Sequence, residues 1–285
     1  MKFLIAGAGG QLGRALQSRM PGGSSVIAPP EADFDITDAA RVAGVVAASG
    51  ATHVVNAAAY TAVDKAEADF ETARRINVDA VKVLADAART AGLGFVHVST
   101  DFVFDGSASS PYAPDAPTNP LGVYGETKRD GELAAGPDAL IVRTAWVYAA
   151  AGNNFVKTML RVMAERDEVR VVADQIGTPT HAAGLAGAIW ALAAGDAKGM
   201  FHWTDAGAAS WYDFAVAIQE EAVGLGMLTR AVPIIPIRTA DYPTPARRPS
   251  YSVLDKSTTW AITGPARHWR AELRECLTLM KEMTA

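Results

Sequence analysis

A single cysteine, Cys276, stands in a chain of 285 residues. One thiol excludes an internal disulfide framework, which suits a reducing cytoplasm. No apolar run approaches the roughly 20 residues that cross a bilayer, so no membrane partner is expected. Basic runs are missing too. With 26 Lys and Arg against 31 Asp and Glu, the formal net charge is -5, which argues against nucleic acid as a partner. The opening Met1-Lys-Phe-Leu-Ile-Ala6 resembles a secretion signal only until Gly7, where a glycine turn and an amphipathic helix replace a small-residue cleavage site. His53, His97, His181, His202 and His268 are scattered without metal-ligand spacing, so no metal site is expected. Internal repeats, low-complexity tracts and heptad runs are absent.

What is present is ordinary for a globular protein: 49% hydrophobic and 20% charged residues. The length allows one large domain or two moderate ones. Through the first half, short apolar runs alternate with longer alanine-rich stretches of helical spacing. Lys2–Ala6, Ser25–Ala28, His53–Ala58, Gly94–Ser99 and Ala139–Arg143 have the continuous apolar character of strands buried on both faces of a parallel sheet. Helices are predicted over Gln11–Met20, Thr37–Ala48, Glu67–Ala91 and 122–135, with Thr37 and Asp38 offering N-cap chemistry. This alternation predicts an α/β fold, a Rossmann-like doubly wound parallel sheet.

After Arg143 the pattern changes. It predicts helices at Phe155–Glu165, His181–Ala194 and Trp211–Leu225, and a last helix near 266–282 that carries a half-buried Cys276. Strands are predicted at Glu168–Ala173 and Met200–Thr204, and Pro233–Pro249 reads as a proline-rich loop. The expected division is a dinucleotide-binding domain at 1–148 and 182–206, with a smaller, discontinuous substrate domain at 149–181 and 207–285.

Two motifs carry chemistry. Gly7-Ala-Gly-Gly10-Gln-Leu-Gly13 lies between the first strand and the first helix, where a tight turn lets backbone approach a pyrophosphate. Gly10, Gln11 and Leu12 would present N–H groups at the positive end of the helix. Downstream of the second strand, Glu31, Asp33 or Asp35 could meet a ribose, and Asp35-Ile36 the adenine side. No arginine stands just beyond that strand to mark a 2′-phosphate, so NADH and NADPH both remain open.

The second motif is Tyr124-Gly-Glu-Thr-Lys128, whose tyrosine and lysine share one helix face. With Thr100 at a predicted strand end, they form a reducing triad. The threonine hydroxyl polarises a carbonyl, the phenol supplies a proton, and the ammonium lowers the phenol pKa and grips the cofactor ribose. The plainer alternative is a core tyrosine and a surface lysine. Trp146 follows a strand end beside this site and could stack on a flat ring. Arg247 and Arg248, in the proline-held Thr244-Pro-Ala-Arg-Arg-Pro249, suit a substrate pyrophosphate. The alternative is that they bond helix-end carbonyls or acids such as Asp241.

Further segments make a resemblance specific: Asn56-Ala-Ala-Ala-Tyr-Thr-Ala-Val-Asp-Lys-Ala-Glu67, Ser99-Thr-Asp-Phe-Val-Phe-Asp-Gly106, Arg143-Thr-Ala-Trp-Val-Tyr148, Asn153-Asn-Phe155, Asp174-Gln-Ile-Gly-Thr-Pro179 and Pro243-Thr-Pro-Ala-Arg-Arg-Pro249. Over nearly its whole length the chain resembles the extended short-chain dehydrogenase/reductases and, more narrowly, their dTDP-4-dehydrorhamnose reductase branch. That resemblance implies NAD(P)H-dependent reduction of the C4 keto group of dTDP-4-dehydro-L-rhamnose, the last step in making a deoxysugar for cell-surface polysaccharide. It implies Gly10, Gln11, Leu12, Asp35, Ile36, Ala59, Tyr60, Thr61, Val98, Tyr124 and Lys128 at the cofactor. At the dTDP-linked deoxysugar it implies Thr100, Asp101, Tyr124 and Trp146, with Val63 nearby. A homodimer is the candidate assembly. Ala15 takes the place of an acidic residue through which some relatives hold a divalent ion, and Phe102 the place of a tyrosine.

Two rivals remain. An epimerase or dehydratase of the same superfamily would need an acid–base pair beside the triad threonine, and Phe102 after Asp101 supplies no second carboxylate. A catalytically silent regulatory homologue would not need Thr100, Tyr124 and Lys128 together.

Overall fold

The computed structural model describes residues 1–283. Six strands, β1 (Lys2–Ala6), β2 (Ser25–Ile27), β3 (His53–Asn56), β4 (Gly94–Thr100), β5 (Leu140–Thr144) and β6 (Gly199–His202), form one parallel sheet in the order β2-β1-β3-β4-β5-β6. Eight longer helices follow in chain order: α1 (Gln11–Ser18), α2 (Ala39–Ser49), α3 (Ala80–Thr90), α4 (Val123–Ala135), α5 (Phe155–Glu165), α6 (Ala182–Ala194), α7 (Trp211–Gly224) and α8 (Trp269–Glu282). Asp38 caps α2 by accepting the Arg41 N–H.

The sheet is covered on both faces, which is why its strands read as unbroken apolar runs. On one face Leu12, Leu16, Leu185, Ile189 and Trp190 of α1 and α6 pack on Phe3, Ile5, Val96 and Val142. On the other, Val42, Val46, Val81 and Leu84 of α2 and α3 pack on Leu4, Val54, Phe95 and Ile141. The doubly wound sheet expected from the sequence is therefore present. Strand order switches sides between β1 and β3, so a crevice opens beyond their carboxyl ends. The glycine turn and Asn56 stand at that crevice.

A second core lies outside the sheet, where Val156, Met163, Phe214, Ile218, Leu273 and Leu277 of α5, α7 and α8 pack together. Cys276 is fully buried within it rather than half-buried, and burial pushes its thiol up to about 12. The short helix Ser257–Thr263, inside the segment expected on the substrate side, instead places Trp260 against the sheet core.

Two predicted elements differ from the structure. The single helix over 67–91 is divided into Phe70–Arg74, a π-turn at Arg75–Asp79 and α3, and a separate short helix, Val63–Ala66, precedes it. The wider turn leaves Asn77 buried. The proline-rich stretch contains a strand, Ile234–Ile237, parallel to Val169–Val172. Pro236 is tolerated because this two-stranded ribbon consists of edges.

Candidate active site

Helix α4 brings Tyr124 and Lys128, one turn apart, to the carboxyl end of β4. Its start is set from outside the helix: the Glu67 carboxylate accepts the Val123 N–H at 2.9 Å, and a Cβ on Gly122 would collide with that oxygen. A carboxylate at a helix N-terminus is doubly favoured, by the hydrogen bond and by the dipole. Lys128 is buried, and its Nζ donates to the Val98 carbonyl at 2.7 Å. At the strand end, the Thr100 hydroxyl donates to Asp101 Oδ1 at 3.0 Å. The Phe102 ring meets that of Tyr124 edge-on, 5.4 Å between centroids.

These environments set the titrations. Burial pushes the Tyr124 phenol up to about 12 and the Asp101 charge adds to this, while a hydrogen bond with Thr100 opposes it. Burial lowers Lys128 to about 8 against the pull of Glu132. Asp101 is raised to about 6 by burial, offset in part by the hydroxyls of Ser252 and Thr100. The phenol is thus held protonated, as a proton donor must be. The lysine expected to lower its pKa is turned to the Val98 carbonyl and His97.

The glycine turn has the shape of a phosphate cradle. Gly7 adopts φ 76°, and a Cβ there would lie 2.5 Å from the Ala58 nitrogen. A Cβ on Gly13 would run into the Gly7 carbonyl, whereas Gly9 faces open space. Helix α1 starts at Gly10 with no side-chain cap and no acid in its first turn. The N–H groups of Gln11 and Leu12 therefore have no intrahelical partner and stand at the positive end of the dipole. These residues fit a dinucleotide.

Other expected cofactor residues follow β2 and β3. Asn77 holds Tyr60 between Ala59 and Thr61, accepting its N–H at 2.9 Å and donating to its carbonyl at 3.1 Å. Asp35 accepts the Thr37 N–H and hydroxyl, which hold its carboxyl below the usual range, and Ile36 is buried beside it. The positive charges of Arg41 and Arg75 also act on Asp35. Neither follows β2 directly. The first comes from α2 and the second from the π-turn.

A sequence profile described as the RmlD substrate binding domain matches residues 1–282. A dTDP-4-dehydrorhamnose reductase of Aggregatibacter actinomycetemcomitans is 43% identical over 265 residues, covering 89% of this chain and 90% of that protein. The chain belongs to this family. A solved dTDP-4-dehydrorhamnose reductase from Clostridium acetobutylicum superposes with a TM-score of 0.92 at 41% identity, covering 99% of this chain and 100% of the other. That from Bacillus anthracis, solved in complex with NADP, gives a TM-score of 0.91 at 33% identity, covering 98% and 99%.

Against this dTDP-4-dehydrorhamnose reductase framework, two expected substrate contacts are already engaged within the protein. Trp146, at φ 48°, stacks on Trp211 with centroids 3.6 Å apart and planes at 11°, so one indole face is taken by another tryptophan. Arg248 pairs with Asp64 through both of its terminal nitrogens and is not turned out to solvent. Arg247 is exposed and makes no ion pair among the described residues. Val63 begins the short helix that carries Asp64.

Asn77, Glu67 and Asp64 position the site and were not singled out for it, whereas Asn154 stood in the segment Asn153-Asn-Phe155 that carried the family resemblance. Asn154 caps α5 and donates to Gln11 Oε1 at 2.9 Å, joining the second core to the glycine turn. Asp64 and Glu67 lie in the segment that carried the family resemblance, which was the available signal. Nothing in the helical spacing marks Asn77, because a π-turn breaks that spacing. Among the described residues, no group of three or more acidic, histidine or cysteine side chains is arranged to hold a metal, and no helix is long and apolar enough to cross a membrane.

Proposed function

We propose that the chain reduces the C4 keto group of dTDP-4-dehydro-L-rhamnose to dTDP-L-rhamnose with NADPH or NADH. The convergence of Thr100, Tyr124 and Lys128 at the end of β4, beside an uncapped glycine turn, carries this reading. Bound nicotinamide supplies the hydride. The Gln11 and Leu12 N–H groups receive the pyrophosphate, with Ala59, Tyr60, Thr61 and Val98 along the cofactor and Asp35 at its ribose end. Arg41 and Arg75 supply positive charge there, which favours the 2′-phosphate of NADPH.

On the substrate side, the Thr100 hydroxyl steadies the carbonyl oxygen as it gains charge, and Tyr124 gives it a proton. Lys128 then stabilises the phenolate. Asp101, Val63 and Trp146 border the sugar, and Arg247 is available to its diphosphate. A dehydratase would need a second carboxylate where Phe102 stands. Purified protein should oxidise NAD(P)H only when given the 4-keto dTDP-sugar, and the uridine analogue reports how strictly the base is read. No oxidation with any 4-keto nucleotide sugar would overturn the proposal.

A further inference from the structure

Behind Tyr124 and Lys128 runs a buried line of polar side chains from Asn56 through His97 to the lysine. Asn56 ends β3 and His97 faces it in the register of β4. Both are fully buried. Asn56 Oδ1 accepts the Ala58 N–H at 3.1 Å, which fixes the amide orientation and turns its nitrogen to His97 Nδ1, also at 3.1 Å. An amide nitrogen only donates, so Nδ1 is the accepting nitrogen of the ring. Burial and the Lys128 charge hold His97 well below its ordinary pKa, so the ring is neutral and its one hydrogen lies on Nε2.

That Nε2 faces Lys128 Nζ at 3.4 Å. An ammonium has no lone pair, so Nε2–H opposite Lys-NH₃⁺ sets donor against donor. An amine removes the conflict: its lone pair accepts from Nε2–H while one of its hydrogens stays on the Val98 carbonyl at 2.7 Å. We propose that Asn56 and His97 are positioning residues that favour the amine form of Lys128 and so make it the proton store that recharges Tyr124. This rests on Tyr124 being the proton donor. After the phenol has given its proton to the substrate oxygen, Lys-NH₃⁺ returns one to the phenolate. The resulting amine is stabilised by His97 and takes its next proton from solvent.

Other charges do not account for this bias. On α4, Glu132 favours the ammonium but is engaged by Arg143 through two bonds of 2.7 Å. Tyr124 shares the lysine's face, and Asp101 acts on Tyr124. On the packed helix and π-turn, Glu71, Arg74, Arg75 and Asp79 are exposed, and on α3 Lys82 and Arg89 pair with Asp86 at the surface. On the short helix Val63–Ala66, Asp64 is held by Arg248 and Lys65 is exposed. The lowering of Lys128 to about 8, which burial dominates, has the same direction.

The test is a side-chain NMR titration of cofactor-free protein carrying isotope-labelled lysine, with the Lys128 signal assigned by Lys128→Arg. In the native chain its midpoint is expected near 8, against 10.5 for an ordinary lysine. Asn56→Asp should reverse the line, because a carboxylate takes Nδ1–H and leaves the Nε2 lone pair to the ammonium. The midpoint should rise by about one pH unit or more. His97→Gln adds no charge and lets an amide oxygen turn to the ammonium, so a rise there separates the relay from simple attraction. The alkaline limb of kcat should move with each midpoint. A purely structural role would lower Tm and leave the midpoints alone.

A native Lys128 that titrates near 10.5, or an unmoved midpoint in folded His97→Gln, overturns the proposal. If Asn56→Asp fails to fold, the native chain and His97→Gln decide. No substrate enters the titration, so failure of the functional reading leaves this result standing, and the reverse also holds.

Discussion

The guanidinium of Arg248 closes on the two carboxylate oxygens of Asp64 at 3.0 and 2.8 Å, across 184 positions of sequence. It also donates to the Thr244 hydroxyl at 2.6 Å and the Ala246 carbonyl at 3.1 Å, while the Ala246 N–H donates to Asp64 at 3.2 Å. One ion pair thereby pins the proline-held loop to the helix Val63–Ala66. Hydrogen bonding to Arg248 holds the Asp64 carboxyl below its usual range.

Asp64→Ala and Arg248→Ala should each cost about 0.5–1.5 kcal/mol, a modest figure because the pair is 24% and 39% exposed and partly screened. The double variant should cost little more than either single change. Both should raise KM for the sugar nucleotide equally. If Arg248→Ala raises it about tenfold more than Asp64→Ala, about 1.4 kcal/mol, the guanidinium binds phosphate directly. Arg247→Ala is expected to raise the sugar-nucleotide KM about tenfold and leave that for NAD(P)H nearly alone.

Tyr124→Phe should lower kcat by about 10²–10⁴-fold, the usual worth of a positioned general acid, while NAD(P)H affinity by fluorescence titration changes only a few-fold. A variant with near-native turnover would remove Tyr124 from the chemistry. Lys128→Ala should lower both rate and cofactor affinity. Unchanged affinity would show that the lysine does not reach the ribose.

The pH dependence of stability should report Asp101. Its carboxyl is raised from 3.8 to about 6, so the native state holds that proton more tightly than the unfolded chain. The stabilising contribution is complete below 3.8 and is lost as pH rises through about 6. Asp101→Asn should therefore be more stable than the native chain near neutrality, by about 1–3 kcal/mol, with the gain fading in acid. Denaturant melts across that range measure it. Equal stability at neutral pH would mean that Ser252 and Thr100 fully support the ionised carboxylate.

Asn77→Ala should leave the Tyr60 N–H and carbonyl without their partners, at a cost of about 1–3 kcal/mol. Because Ala59–Thr61 is proposed to run along the cofactor, KM for NAD(P)H should rise more than that for the sugar nucleotide. A variant with reduced Tm and unchanged cofactor KM would make Asn77 a purely structural clamp.

The alternation of apolar runs and alanine-rich helices was legible in the sequence because a strand buried on both faces has no polar side to show. The glycine turn and the Tyr124–Lys128 pair were legible for a related reason: backbone clearance and a shared helix face are local properties. Nothing local marked the π-turn that buries Asn77, or the strand Ile234–Ile237, whose partner lies far upstream. Tertiary structure alone decided that Arg248 meets Asp64, that Trp146 stacks on Trp211, and that Lys128 lies against Val98 and His97. It also set the charges of Arg41, on α2, and Arg75, on the π-turn, to act on Asp35. In each case the energy depends on which distant group arrives within a few ångströms and how much water leaves with it, and spacing along the chain carries neither quantity.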